Sequence, residues 1–249
     1  MQDISIRLKM IADLVTPGAR VADIGCDHAY TDIYLASKGD LEAIIAMDLR
    51  KGPLQKASEN VSMAGFSSKI ELRLSDGFEK LKRSESDTAI ISGMGGRLIT
   101  SIISKAGDIF KEGYKLILSP QTELDIVRNY LPGAGFVIED EEMCLDEGKY
   151  YVAIVARYVG RDKTKDVHYS ENEALYGPIL IRKKHKVLME YLDLEIRKRE
   201  KVIEDLNLRL KKMKEQDDNP EQPAEEKLLS VEKRIIFLEE EIQGIKALI

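Results

Sequence analysis

The chain has 249 residues and a mass of 28.1 kDa, which suits one ordinary domain with an appendage or two small domains. An apolar fraction of 43% can fill a core and excludes wholesale disorder, while no apolar run is long enough to cross a membrane. Lysine and arginine total 38 against 44 acidic residues. The net charge of −6 therefore argues against a nucleic-acid partner, unless the charge is unevenly distributed along the chain.

Residues that could form targeting or metal-binding elements are sparse. The N-terminal residues lack the basic start and apolar stretch of a signal peptide, so a cytoplasmic location is expected. Cys26 and Cys144 form no disulfide framework, and neither has a second cysteine at metal-ligand spacing. The three histidines, His28, His168 and His185, are scattered along the chain. No metal site is expected.

Residues 1–160 alternate short β-branched runs with helical patterns, which is typical of an α/β fold with a parallel sheet. The predicted helices cover 4–15, 29–38, 51–64, 97–110 and 122–131, and the predicted strands cover 20–24, 43–48, 70–74, 88–92, 115–119, 135–139 and 150–158. Only residues 140–149 separate the last two strands, which is too short for a crossover helix. We therefore expect these two strands to pair antiparallel at the edge of the sheet.

The sequence changes character after Gly160. Residues 161–180 are mostly polar and contain Tyr176-Gly177-Pro178, which indicates a linker. Two heptad stripes follow, one at Met189, Leu192, Ile196, Arg199, Ile203, Leu206, Leu210 and Met213, the other at Leu228, Val231, Ile235, Leu238, Ile242, Ile245 and Ile249. Asp217 to Pro220 interrupts them, so residues 181–249 predict two helices of about 25 residues in an antiparallel coiled-coil hairpin.

The charge is divided unevenly between the two predicted tail helices. Residues 182–214 hold twelve basic and six acidic residues, whereas residues 215–249 hold four basic and ten acidic residues. One interpretation is attraction between the two helices of the hairpin. The other is a basic rod that contacts RNA phosphates, for which the candidates are Arg182, Lys183, Lys184, Lys186, Arg197, Lys198 and Lys201. A monomer is expected, although the wholly apolar second stripe also permits an intermolecular coiled coil.

The turn after the first strand indicates which nucleotide-like cofactor the domain can bind. Doubly wound folds bind nucleotides there, and the dinucleotide fingerprint requires three glycines for close approach to a pyrophosphate. This chain has only Gly25 in the turn, together with Asp27, whose carboxylate repels phosphate and favours a cation. S-adenosylmethionine carries a sulfonium and an ammonium group and no phosphate, so the turn favours it over NAD or ATP.

Acidic residues also follow the second and third strands. Asp48 can accept hydrogen bonds from ribose hydroxyls, and Asp76-Gly77 can accept from an adenine amino group. Alternatively, Asp48 is a helix cap and Asp76-Gly77 only a turn. The fourth strand ends at Ser92 and is followed by Gly93-Met94-Gly95-Gly96, where the backbone can approach a ligand closely or can simply form a flexible loop.

These segments together resemble the bacterial tRNA (adenine-22-N1)-methyltransferases, the TrmK-like class I methyltransferases. The resemblance rests on residues 23–30 (DIGCDHAY), 92–96 (SGMGG) and 116–121 (LILSPQ) and on the predicted hairpin. It implies a Rossmann-like methyltransferase domain and a helical tail that helps to hold tRNA. It also implies that Asp23, Gly25 and Asp27 face the methionine part of S-adenosylmethionine, that Asp48 faces the ribose, that Asp76 and Gly77 hold adenine, that Gly93, Met94, Gly95 and Gly96 line the methyl group, and that Arg7 lies near the cofactor.

The chemistry of adenine N1 needs little acid–base help. Its in-plane lone pair attacks the sulfonium methyl directly, so positioning and exclusion of water are the main requirements. Asp27 is the candidate for contact with the base or its developing positive charge, and Tyr30 either stacks on a base or packs in the core. The remaining alternatives are methylation of a protein or small molecule, and a non-catalytic nucleotide-binding module whose coiled coil binds a partner.

Overall fold

The computed structural model describes residues 4–215 and 223–249 of the chain. It divides the chain into two compact units, Met1–Lys183 and Lys184–Ile249, which are described separately. In the described residues, none of the helices combines the length and apolar character needed to span a membrane.

A seven-stranded mixed sheet forms the centre of the first unit. Its strands are β1 (Arg20–Ile24), β2 (Ala43–Asp48), β3 (Ile70–Leu74), β4 (Thr88–Ser92), β5 (Lys115–Ser119), β6 (Phe136–Asp146) and β7 (Lys149–Tyr158), in the order β3-β2-β1-β4-β5-β7-β6. The first five strands are parallel, and β7 pairs antiparallel with both β5 and β6. The expected antiparallel pair at the sheet edge is therefore confirmed.

The β6–β7 hairpin is longer than the sequence predicted. The strands meet at a two-residue turn, Glu147-Gly148, in which both residues have positive φ angles of 47° and 77°. Such left-handed pairs match the twist of a tight hairpin. The residues from Glu139 to Glu142 are all acidic and so resembled a loop, but they lie in an edge strand whose alternate side chains face solvent.

Helices flank the sheet on both faces. Those of the first unit are α1 (Ile6–Asp13), α2 (Tyr30–Lys38), α3 (Lys51–Met63), α4 (Gly96–Ser104), α5 (Leu124–Gly133), α6 (Glu171–Tyr176) and α7 (Pro178–Arg182). Helix α4 ends six residues before the predicted end at residue 110, because the chain turns at Gly107, whose φ is +61°. The apolar core divides between the two faces of the sheet, since Ala22 and Ile24 pack in one cluster and Val21 in the other.

The segment predicted as a linker is folded as part of the first unit. Its helix α6 starts with a capping box in which Ser170 and Glu173 exchange hydrogen bonds. The buried Thr164 hydroxyl donates to the Pro132 carbonyl at 2.7 Å. Arg128 of α5 donates to the Ala174 and Leu175 carbonyls at 2.7 and 2.9 Å. These contacts attach residues 161–183 to the sheet and to α5.

The second unit contains two long helices, α8 (Lys186–Glu215) and α9 (Pro223–Lys246). The predicted stripe is buried at Leu192 and Ile196 of α8 and at five of its positions on α9, Val231, Ile235, Leu238, Ile242 and Ile245. Ion pairs join the helices at Arg199–Glu241 (3.4 Å), Lys214–Glu232 (2.9 Å) and Lys246–Glu200 (3.4 Å). The predicted break at Asp217 to Pro220 lies outside the described residues.

Candidate active site

A cavity of about 480 Å³ opens at the carboxyl ends of the parallel strands. It lies where β1 separates β2 from β4, which is the point at which the strand order reverses and doubly wound folds bind their ligands. Its lining residues are Arg7, Leu8, Asp23, Gly25, Cys26, Asp27, His28, Tyr30, Thr31, Asp48, Arg50, Ser92, Gly93, Met94 and Gln121. Seven of the lining residues were predicted to contact the cofactor: Arg7, Asp23, Gly25, Asp27, Asp48, Gly93 and Met94.

The turn from β1 into α2 has an unusual backbone. Gly25, Asp27 and Ala29 all have positive φ angles, of 80°, 51° and 59°. For residues other than glycine this conformation costs free energy and is concentrated at functional sites. A Cβ atom on Gly25 would lie 2.2 Å from the Met94 Cε, so this glycine also allows close approach of the loop after β4. The turn is shaped for contact with a ligand.

Asp27 projects from this turn toward solvent, with 60% of its side chain exposed. Its carboxylate lies 3.7 Å from the Nε2 atom of His28, and the His28 carbonyl accepts a hydrogen bond of 3.0 Å from Asn60 of α3. Asn60 thereby ties the turn to α3. Asp27 is available to a substrate that enters the cavity from solvent.

Two carboxyl groups are buried beneath the turn. Asp23 ends β1 with 4% of its surface exposed, and Asp32 in the first turn of α2 is fully buried. Burial raises the pKa of both carboxyl groups, and for Asp23 the neighbouring Asp32 raises it further. Sequence analysis missed Asp32. Its position five residues after Asp27 in a helical pattern gave no sign that it faces Asp23.

The acids after β2 and β3 have different environments. Asp48 is buried, lines the cavity and accepts a hydrogen bond of 2.8 Å from the backbone N–H of Arg50. Asp76 is exposed, and neither it nor Gly77 is among the residues that line the cavity. The proposed adenine contact of Asp76 and Gly77 stays a prediction.

The glycine-rich loop after β4 divides into two parts. Gly93 and Met94 line the cavity, and Gly93 has a φ of +77°. Gly95 and Gly96 lie outside the lining, and a Cβ on Gly96 would be 2.4 Å from the Glu123 carbonyl oxygen. Gly96 therefore allows α4 to pack against the segment that begins α5. Cofactor contacts of Gly95 and Gly96 stay a prediction.

Two cavity residues come from elements distant in sequence. Gln121 follows β5, and its side chain lies beside Gly93, within 3.9 Å of where a Cβ would be. Arg7 of α1 has its guanidinium 5.0 Å from the Tyr151 ring centre, and its backbone N–H donates to Asp146 at 3.2 Å. Gln121 was not assigned from the sequence, although its place directly after the fifth strand is a signal for this crevice.

A second cavity of about 760 Å³ adjoins the first. It is more apolar, and its lining comes mainly from helices α1, α2 and α3 and includes Tyr34, Met63 and Phe66. Leu8 and Tyr30 line both cavities. Tyr30 is 42% exposed, so its ring is accessible and is not packed away in the core.

The main cavity fits a cationic adenosyl cofactor better than a phosphorylated one. Asp23, Asp27 and Asp48 contribute carboxylates, and the phosphate-binding glycine pattern is absent from the β1–α2 turn. The volume is within the range of small-molecule sites. The donor set therefore matches the sulfonium and ammonium groups of S-adenosylmethionine and the hydroxyls of its ribose.

Comparison with known proteins agrees with this geometry. The model of the family described as tRNA (adenine(22)-N(1))-methyltransferase matches residues 21–233. The chain belongs to this family. A tRNA (adenine(22)-N(1))-methyltransferase of Bacillus subtilis is 31% identical over 204 residues, which cover 82% of this chain and 86% of the relative.

Solved structures of the family show the same fold. The putative tRNA (m1A22) methyltransferase of Streptococcus pneumoniae, crystallised with S-adenosyl-L-methionine, superposes with a TM-score of 0.71 at 29% identity and covers 99% of both chains. The enzyme of M. capricolum in complex with S-adenosyl-homocysteine has a TM-score of 0.69 at 25% identity, covering 97% of this chain and 99% of that one. This methyltransferase family uses S-adenosylmethionine, and the main cavity lies where doubly wound folds bind such a ligand.

Proposed function

We propose that this protein transfers a methyl group from S-adenosylmethionine to N1 of adenine 22 in tRNA. Its family membership supports the reaction, and the carboxylate-lined crevice at the ends of β1 and β2 supports the cofactor. The observation that carries the proposal is the strained β1–α2 turn, which presents Asp27 at the mouth of that crevice. We propose a cytoplasmic location, as expected for an enzyme that acts on tRNA.

The cofactor supplies an electrophilic methyl group on a sulfonium, and the adenine supplies the attacking lone pair. The protein must therefore hold the base in line, exclude water and stabilise the positive charge that develops on the ring. Asp27 is suited to the last task because its exposed carboxylate lines the cavity. Tyr30 is suited to stack on the base, since its half-exposed ring borders both cavities.

The direct test is methylation of unmodified tRNA by the purified protein, followed by mass spectrometry of nuclease fragments. We expect one methyl group on adenine 22 and none on a transcript in which that adenine is replaced by guanine. Labelled methyl transfer to protein or small molecules, with none to tRNA, would contradict the proposal. A protein that does not bind S-adenosylmethionine in calorimetry would indicate a non-catalytic module.

The two acids after β2 and β3 allow a sharp test of the cofactor contacts. Asp48→Ala should weaken S-adenosylmethionine binding about 10- to 100-fold, because a buried carboxylate that bonds the ribose contributes about 1.5–3 kcal/mol. Asp76→Ala should change the affinity less, because Asp76 is exposed and outside the cavity lining. Isothermal titration without RNA measures both. Equal losses in the two variants would contradict the assignment of Asp48.

The basic residues of the tail and its approach differ in how far they are engaged within the chain. Lys183 pairs with Asp140 and Glu142, Lys184 contacts the terminal Ile249 oxygen, Lys186 lies 3.9 Å from Glu190, and Lys198 pairs with Glu195. Arg182, Arg197 and Lys201 are exposed and form no ion pair with the described residues. We therefore propose Arg197 and Lys201, one helical turn apart on α8, as the principal phosphate contacts.

Reversal of these two charges should selectively weaken tRNA binding. We expect Arg197→Glu/Lys201→Glu to lower tRNA affinity at least tenfold at low salt, with S-adenosylmethionine affinity unchanged, because phosphate contacts are electrostatic. Lys105→Glu/Lys165→Glu, which changes the net charge equally at exposed positions of the first unit, is the matched control. Filter binding measures both, and equal losses would show that net charge, not α8, determines the affinity.

A further inference from the structure

Asp32 is the least satisfied charged group of the first unit. Its side chain is fully buried, and neither carboxylate oxygen accepts a hydrogen bond of normal geometry from the described residues. A buried carboxylate without a donor is costly, so the group must be protonated or must share a proton. Asp32 belongs to α2 but carries no role in the function proposed above.

The neighbour that can share this proton is Asp23. Its carboxyl group hydrogen-bonds with that of Asp32, an arrangement that is possible only when one of the two is protonated. Asp23 is 4% exposed and lines the cofactor cavity, whereas Asp32 lies behind it. The pair therefore connects a buried proton to the surface that faces the cofactor.

The other ionisable groups around the pair come from four elements. Asp48 of β2, Cys26 and Asp27 of the β1–α2 turn add negative or neutral character close by, and burial raises the pKa of the Cys26 thiol. The remaining charged or titratable side chains of the cavity lining are Arg7, His28, Tyr30 and Arg50. His28 is the other group that can exchange a proton near neutral pH, so it is the alternative to exclude.

We propose that Asp23 and Asp32 form a proton-sharing pair that releases its proton when the cationic cofactor occupies the cavity, so that cofactor binding is linked to pH. The proposal uses the family's cofactor and does not depend on the RNA substrate. A positive charge next to Asp23 favours the ionised form of both carboxyl groups and so expels the shared proton. Asp32 is thus a positioning residue that acts through Asp23.

Calorimetry of S-adenosylmethionine binding, without RNA, tests the linkage directly. At pH 6.5 in phosphate and in a buffer of high ionisation enthalpy, the difference in heat gives the number of protons released. We expect a release between zero and one for the native protein, and an affinity that rises by up to about tenfold per pH unit below neutrality. Equal heats in both buffers and a pH-independent affinity would overturn the proposal, and this measurement needs no variant.

Two substitutions identify the group responsible. Asp32→Asn keeps the shape of the side chain and lets its amide donate to Asp23, so the proton release should disappear. His28→Gln should leave the release intact. The opposite result, loss in His28→Gln and retention in Asp32→Asn, would overturn the proposal. Binding with normal affinity but no proton release would refute only the linkage, whereas absence of any binding would refute the methyltransferase function as well.

The free protein gives an independent readout. Since folding raises the pKa of both carboxyl groups, their contribution to stability is complete below about pH 4 and is lost as the pH rises toward about 7. Asp32→Asn should therefore show a flatter dependence of the melting temperature on pH across that range. Identical profiles for the two proteins would contradict a shared proton.

Discussion

Replacement of Asp27 by alanine should lower kcat for tRNA methylation about 100- to 1,000-fold, the usual effect of removing one preorganised electrostatic partner of the transition state. The residue combines a strained backbone, with a φ of 51°, and an exposed carboxylate on the cavity wall. Such strain is maintained only where the surrounding structure enforces it. Near-normal turnover in the variant would remove Asp27 from the mechanism.

The same variant also shows on which partner Asp27 acts. If the carboxylate serves the target base, Asp27→Ala should retain S-adenosylmethionine affinity within a few-fold while kcat falls. If it holds the cofactor, the dissociation constant should rise instead. Asp27→Asn is the matched control, because it preserves shape and tests charge alone. Circular dichroism and thermal melting should be unchanged in both, since the side chain is 60% exposed.

Replacement of Arg128 by leucine should destabilise the first unit by about 3–5 kcal/mol, which lowers its melting temperature by about 10 °C or more. Arg128 and Glu141 are both fully buried, and Arg128 Nε donates to Glu141 at 2.8 Å. Burial lowers the pKa of Arg128, so its charge exists there only because of its partners. The variant would leave the Glu141 carboxylate buried without its counter-ion.

A double-mutant cycle separates the pair from its surroundings. Arg128→Leu/Glu141→Leu removes both charges and should be less destabilised than the sum of the single variants, because an apolar pair leaves no isolated charge. Glu141 also accepts the backbone N–H of Ile179 at 2.9 Å, so its replacement additionally frees α7. Denaturant unfolding of the four proteins measures the coupling, and strict additivity would contradict an energetic pair.

The parallel part of the sheet was predictable because its strands are short, β-branched and bounded by turns. All five parallel strands begin and end where the sequence pattern indicated, from Arg20–Ile24 to Lys115–Ser119. Burial on both faces requires continuous apolar runs, and such runs are visible in a single sequence. The polar edge strand β6 and the fold of residues 161–183 were missed because tertiary contacts, not local pattern, stabilise them.

The candidate site was predictable to the extent that it follows from chain topology. Asp23, Asp27 and Asp48 each follow or end a strand, so their convergence is a consequence of parallel pairing. Asp32 and Gln121 were missed because their roles depend on which way a side chain faces. Asp76 illustrates the opposite error, since a position after a strand does not guarantee that a residue lines the crevice.

The pairing of α8 with the acidic α9 affects how a salt titration of tRNA binding is interpreted. Lys214 and Lys246 are held by glutamates of the opposite helix, at 2.9 and 3.4 Å. Added salt weakens these internal pairs and also the contacts to phosphate. The acidic helix thus acts as a built-in competitor for the basic one. The slope of affinity against salt should count about three phosphate contacts, not all seven candidate cations.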